Sequence, residues 1–539
     1  MAATGEGGPG PSAAGQGAGG PAAEGAIRLS QPAGRWVILA TVLGSSMAML
    51  DATVVNVALP TIGTHLHSSL GGLQWTVTAY TLTLAGLILL GGSLGDRLGR
   101  RKIFVVGVTW FALASALCGL APDLGVLIAA RALAGIGGAL LTPGSLAIIQ
   151  ASFAPEDRPR AVGAWSGLGG VAGAAGPLLG GWIVSAVGWR WIFLLNLPLA
   201  AIVIAVTSRH VPETRDPMAH GRFDVSGAAL AALALAGTSY ALIEAPAKGV
   251  AARVAVAAII GVAAAVAFVM VERRRTNTPG GTPPMLPLDV FASRQFTVVN
   301  LVTFVVYGAF GALFFLLILQ LQVVSGFTPL RAGTATLPAT LLMLALSARA
   351  GALAQRTGPR WLMAGGTLTS AAGLLLMTRI GPHASYFADV FPAVCVFGIG
   401  LSATVAPLTA TVLASADARH AGVASGVNNA VARAAGLLAV AGLPAAVGLS
   451  IGGHGSAGAF NSGFRAAMLI CAGLLVAGAV LSGLLIDNDV LRPTPDRPVP
   501  EPESRICCPV SAPPLETGRR RGLAGPSAPA TPAQPAGGS

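Results

Sequence analysis

The chain has 539 residues, 53% hydrophobic and only 10% charged, with a formal net charge of +12. A soluble domain carries about 25% charged residues, so this composition cannot cover a soluble protein of this length and places the chain in the membrane class. The positive excess does not indicate a nucleic-acid partner, because the basic residues fall mostly in short loops between apolar runs.

Residues 1–34, rich in Gly, Ala and Pro without an apolar core, are expected to form a disordered tail and do not make a signal peptide. A helix needs about 20 apolar residues to cross the hydrocarbon layer. Runs of this kind lie at 36–60, 73–94, 103–121, 124–148, 161–186 and 191–207, which make one six-span unit over 35–208. Two further spans, 226–246 and 252–271, lie within 209–296 with their flanking loops. Six more, at 297–323, 332–354, 361–380, 386–413, 421–449 and 465–486, fill 297–488. Residues 489–539, rich in Pro and Arg, are expected to be a second disordered tail. Strands of a closed barrel would alternate polarity over about 10 residues, and these runs do not.

Fourteen spans put both termini on one side. With that side cytoplasmic, the inside loops hold Arg97, Arg100, Arg101, Lys102, Arg158, Arg160 and most other arginines, as the positive-inside rule requires.

Span 1 contains "LDATVVNVALP", residues 50–60, with a carboxylate inside an apolar run. A charge near the bilayer centre costs about 2.5–3.5 kcal/mol on insertion scales, so Asp51 should face a partner or a wet cavity. Gly44, Ala48, Val55 and Ala58 share its helical face and are small or modest, so that face should pack into the bundle. Arg131, in "RALAGIGGALLTP" of span 4, is the expected partner. Spans 1 and 4 run in opposite directions, and about 1.5 Å per residue puts both groups roughly 10–13 Å below the same surface. A carboxylate holds its proton when buried without a cation and releases it when paired or wetted, which suits coupling to a conformational change. A static structural pair is the alternative.

The loop "GSLGDRLGRRK", 92–102, is too polar to span. Asp96, Arg97, Arg100 and Arg101 are placed to bridge helix ends; Gly92 and Gly95 would permit close helix approach, and Gly99 a tight turn. It recurs as "GALAQRTGPRW", 351–361, with Gln355 in the place of Asp96; "AVGAWSG", 161–167, is echoed by "AGVASGV", 421–427. Each echo is displaced by eight spans, the pattern of a duplicated six-helix unit with two spans inserted, and such repeats mark secondary transporters. Span 5 carries "GPLLGG", 176–181, with Gly163 further back. Pro177 removes a helix hydrogen bond, and Gly176, Gly180 and Gly181 allow a neighbour to approach closely.

Tyr80, Phe304, Tyr307, Phe310, Phe314, Gln320 and Gln322 are candidates to line an apolar cavity with a few polar groups. Arg433 in span 13 and Arg349 near the end of span 10 add positive charge. Glu244 and Asp389 lie near predicted span ends and read as solvated. "GIGGAL" and "GLGGVAG" lie within spans with no preceding strand, so they are packing segments and not nucleotide loops. No Walker lysine motif, metal spacing or nucleophile constellation is present, so no enzymatic activity, metal or organic cofactor is expected.

Together these motifs resemble the major facilitator superfamily, and within it the fourteen-spanner drug:proton antiporters, over about residues 36–486. The loop at 92–102 resembles the superfamily's signature between spans 2 and 3. "LDATVVNVALP", "QWTVTAYTL" (74–82), "WRWIFLLNLPL" (189–199) and "HAGVASGVNN" (420–429) resemble fourteen-spanner hallmarks, and "GPLLGG" resembles the antiporter signature, with Ala172 at one of its glycine positions. The resemblance implies an all-α integral membrane fold of two pseudo-symmetric six-helix bundles plus two central helices. It implies proton-driven export of a hydrophobic or amphipathic molecule across the cytoplasmic membrane by a monomer, with the proton gradient as energy source. It makes Asp51 essential, associates Arg131 with proton coupling and makes the polar loop a gate latch. Family members favouring organic cations carry an acid in span 10; its absence here, with Arg433 present, favours a neutral or anionic substrate. An exporter of one specific metabolite (a sugar, amino acid or siderophore) and a non-transporting sensor or scaffold remain alternatives.

Overall fold

In the computed structural model the described residues are 27–215, 224–248, 251–277, 284–416, 421–449 and 457–491. The remainder of both expected tails lies outside them. Fourteen long helices appear, each over one predicted span: α1 Pro32–His65, α2 Leu70–Leu98, α3 Arg100–Leu120, α4 Leu124–Ser152, α5 Arg158–Ala186 and α6 Trp191–His210, then α7 Val225–Lys248 and α8 Ala252–Thr276, then α9 Arg294–Val324, α10 Pro329–Thr357, α11 Pro359–Met377, α12 Tyr386–Ala414, α13 Ala421–Ala446 and α14 Ala457–Leu485. Helices satisfy every internal backbone group within the segment, as lipid demands. Where they begin, Ser69, Asp123, Ser293 and Thr328 cap α2, α4, α9 and α10 by accepting a free backbone N–H. Among the described residues thirteen helices are long and apolar enough to cross a membrane by length and composition alone. The fourteenth, α11, is 19 residues long and carries Gly, Thr and Ser; Thr367 and Ser370 are buried between helices and not turned to lipid.

The pairing of helices repeats. α1 packs on α5 and α6, α2 on α4, and α3 on α4 and α6. Eight helices later α9 packs on α13 and α14, α10 on α12, and α11 on α12 and α14. The chain is therefore two copies of one six-helix arrangement. They meet along two seams, α5 against α10 and α2 against α13. α7 lies on both α2 and α13, and α8 packs mainly on α7. Glycines set the closest crossings: Gly86 meets Ala232 of α7, Gly237 meets Gly261 of α8, and Gly373 of α11 lies against the backbone of Phe397.

At the end of the bundle carrying the arginine-rich loop, here the basic end, Arg275 of α8 pairs with Asp224 just before α7. Glu272, fully buried, accepts from the Leu286 N–H at 2.7 Å. The expected N-terminal tail of 1–34 is too long. Ile27 pairs with Phe153 as an isolated bridge, its N–H donating to Ser152 O at 2.9 Å, and the Leu29 N–H donates to Asp157 at 3.0 Å. α1 already begins at Pro32. Backbone hydrogen bonds make this attachment, and composition does not register them.

A methyl group on Gly373 would sit 2.6 Å from Phe397 N. Gly373→Ala is expected to destabilise by about 1–3 kcal/mol. Gly365→Ala, with nothing within 4 Å of the new carbon, should be neutral or gain up to about 1 kcal/mol. Melting of the two purified variants tests this; equal losses would sink the packing account.

Candidate functional site

Asp51 of α1 and Arg131 of α4 form an ion pair, Nη1 to Oδ2 at 2.5 Å, with both side chains 1% exposed. The Arg131 Nε–H donates to the backbone carbonyl of Thr76 at 3.1 Å. The guanidinium lies over the Tyr80 ring, 4.4 Å from its centroid, and 5.8 Å from that of Phe193. Small residues allow this crowding. Gly135 and Gly138 of α4 face Tyr80, and the Thr83 hydroxyl of α2 donates to Ala132 O at 2.8 Å. The second carboxylate oxygen, Asp51 Oδ1, is buried and accepts no hydrogen bond. A buried acceptor without a partner is costly. Tyr80 is therefore not a cavity residue as the sequence suggested. Its ring floors the ion pair and its hydroxyl donates to Ala48 O at 3.4 Å.

A cavity of about 620 Å³ lies between the two halves. Its walls include Thr53 and Asn56 of α1, Pro177 of α5, Tyr307, Phe310 and Phe314 of α9, and Arg433 of α13. The aromatic wall is braced by Phe397 of α12, with ring centroids 5.3 Å from Phe310 and 6.0 Å from Phe314. Ala52 and Thr53, which follow Asp51 on α1, line it. Gln320 does not reach the cavity; its amide donates to Ile380 O at 2.9 Å and Asn461 at 2.7 Å. Gln322 donates across the halves to Val57 O at 2.9 Å. Phe304 is on an outer face, 42% exposed. Sequence spacing named the right helix for these three residues but not the face each occupies.

α5 connects the halves. A side chain on Gly176 would strike Thr53 and one on Gly180 would meet Val54 at 2.8 Å, both on α1. Gly181 faces the other half, where a β-carbon would lie 2.7 Å from Pro329 O and 2.8 Å from Leu330 Cα. Gly163 differs from this expectation, with nothing within 4 Å. Through α5 and α10 the halves thus touch at the end opposite the basic loops, while a β-carbon on Gly163 or Gly167, nearer the start of α5, would meet nothing within 4 Å. Gln74 adds a polar bond at the same far end, its amide donating to Val440 O at 2.7 Å and Ala441 O at 3.1 Å.

The family model described as Major Facilitator Superfamily matches residues 41–440. The chain belongs to that superfamily. It is 36% identical to the puromycin resistance protein pur8 of Streptomyces alboniger over 472 residues, covering 84% of this chain and 92% of that protein. It is 38% identical to the methylenomycin A resistance protein of Streptomyces coelicolor, covering 75% and 84%. It is 35% identical to the multidrug resistance protein Stp of Mycobacterium tuberculosis, covering 73% and 72%. These relatives place it in the drug-efflux family of the superfamily. Two solved structures share the fold: the bacterial homolog of the lysosomal transporter Spinster (TM-score 0.59, 19% identity, 85% of this chain and 97% of that one) and the POT family transporter PepTSo (TM-score 0.61, 15% identity, 83% and 97%).

In this superfamily member the loop at 92–102 is anchored within the first half. Asp96 pairs with Arg100 at 2.8 Å. Arg101 lies 3.8 Å from Glu213, whose carboxylate also accepts from the N–H groups of Arg101 and Lys102 at 3.1 and 3.2 Å. Gly99 turns the chain at φ +118°, a conformation that favours glycine. Arg97 carries an interaction of its own. Close approach to α4 falls to Gly91, which abuts the Ala139 backbone; Gly95 has nothing within 4 Å and Gly92 meets only Pro143 at 3.6 Å. Glu213 was not singled out from sequence, although one acid just after span 6 amid basic loops was the available signal. Glu244 is not simply solvated, because it accepts from Trp75 Nε1 at 3.1 Å.

Removing one partner of a buried pair typically costs about 3–5 kcal/mol because the other charge is stranded. Arg131→Met and Asp51→Asn should each lower the melting temperature of the purified protein. The double variant should recover part of the loss; strictly additive losses would show that the pair is not energetically coupled.

Proposed function

We propose that the protein exports amphipathic small molecules across the cytoplasmic membrane in exchange for protons, by alternating access. The observation that carries this reading is the sealed Asp51–Arg131 pair with one carboxylate oxygen left unbonded beside a central cavity. The names of the relatives, which include resistance, efflux and export proteins, support a drug-like cargo. With the basic loops, and with them both termini, on the cytoplasmic side as the positive-inside rule favours, the start of α5 faces the cytoplasm and cargo enters from that side.

Each residue then has a task. The ionised Asp51 is held by Arg131 while cargo occupies the cavity. When the halves rock and the far end opens, a proton reaches Oδ1 and weakens the hold on Arg131. The Thr76 carbonyl and the Tyr80 ring keep the guanidinium in place meanwhile. Return to the cytoplasmic side re-forms the pair and releases the proton. Gly176, Gly180 and Gly181 give α5 smooth contacts for the movement, the loop at 92–102 stiffens the cytoplasmic ends of the first half, and the monomer suffices. The proton gradient is the only energy source.

Inside-out vesicles with an imposed proton gradient test this, offered cationic, neutral and anionic amphiphiles. Gradient-driven uptake by wild type should vanish in Asp51→Asn at matched expression. Uptake unchanged in that variant would leave Asp51 a structural residue and overturn its role as proton carrier.

A further inference from the structure

The cavity carries a charge that the Asp51–Arg131 pair does not explain. Arg433 is the one charged side chain among the residues lining it, and no carboxylate lines it. Its Nε is buried without a hydrogen-bond partner. Arg131, by contrast, is held by Asp51 and Thr76. Among the described residues the interior therefore holds one neutralised pair and, on the cavity wall, one guanidinium with no carboxylate beside it.

The surroundings fit a particular kind of molecule. On α13, Arg433, Gly436 and Val440 line the cavity at offsets of three and seven, one helical face. On α9, Tyr307, Gly311 and Phe314 line it at offsets of four and seven. Gly311 and Gly436 sit against each other, a β-carbon on Gly311 falling 2.6 Å from Gly436 Cα. This glycine contact brings the two faces together, so that the aromatic rings and the guanidinium flank one opening. A guanidinium in an apolar wall is destabilised until an anion reaches it. Its planar fork of donors matches a carboxylate with two parallel hydrogen bonds. A cavity of about 620 Å³ is the size of a drug-like site.

We propose that the cavity selects aromatic amphiphiles bearing a carboxylate, with the anion on Arg433 and the apolar body against Tyr307, Phe310 and Phe314. This names the cargo class of the export reading and rests on it. An organic cation of the same shape meets an unpaired like charge in the same place and is disfavoured.

The test is binding without any proton gradient. Purified full-length protein in phosphatidylcholine nanodiscs is dialysed to equilibrium against 1-pyrenebutyrate, its neutral amide and the corresponding pyrenebutylamine, with empty nanodiscs subtracted. Wild type should bind the carboxylate at least about ten-fold tighter than the amide, as a charge-assisted contact provides, and the amine weakest. Arg433→Gln should erase the preference, and Arg433→Lys, which keeps the charge but not the fork, should retain part of it. The proposal is overturned if wild type binds acid and amide alike, if it prefers the amine, or if the preference survives in Arg433→Gln. The wild-type comparison stands even if a variant fails to fold. Because no gradient is used, a loss of proton coupling in the vesicle experiment leaves this result untouched, and proton-driven export of neutral or cationic probes alone would overturn the cargo class and not the export.

Discussion

A carboxylate and a guanidinium 2.5 Å apart, both sealed from solvent, fix the centre of the first half. Lipid offers neither group a partner, so each must be satisfied within the bundle. The pair draws α1 against α4, and the Thr76 carbonyl and Tyr80 ring draw in α2. Three helices meet around one polar contact, and Gly135 and Gly138 are what allow them to come close enough. The contact is also incomplete, since Asp51 Oδ1 has no partner. A rearrangement that loosened α1 from α4 would strand two buried charges, which costs several kcal/mol.

The second constraint is distance between helix axes. Each half repeats the same pairings, and the seams between halves are built where side chains are smallest. Gly181 on the α5 seam accepts Leu330, and Gly333 of α10 abuts the backbone of Pro177. At the end opposite the basic loops Gln74 and Gln322 donate to backbone carbonyls of the opposite half. Amide-to-carbonyl bonds of this kind are each worth about 0.5–1.5 kcal/mol net.

The duplicated helical fold was legible because it rests on hydropathy and charge position, both linear properties of the chain. Asp51 and Arg131 were legible for the same reason: charges stand out in apolar runs, and rise per residue places them at one depth. What was not legible was rotation about the helix axis. One residue turns a helix face by about 100°, so Gly91 makes the close contact expected of Gly92 and Gly95. Tyr80 likewise turns to the ion pair and away from the cavity, and Gln320 turns to Ile380 and Asn461. Glu213 and Ile27 were missed for another reason. Their partners lie across loops, at sequence distances that no local pattern records.

The two additional helices illustrate how an insertion joins a two-fold architecture. α7 touches both halves, but unequally. Against α2 it has a hydrogen bond from Trp75 to Glu244 and a tight crossing at Gly86 and Ala232. Against α13, a β-carbon on Gly442 would meet the Leu242 side chain at 3.4 Å, an ordinary apolar contact. A directional bond and a backbone-close crossing resist sliding; a branched apolar side chain over a glycine does not. α7, with α8 packed on it, therefore lies on both halves, with its backbone-close crossing on the side of α2.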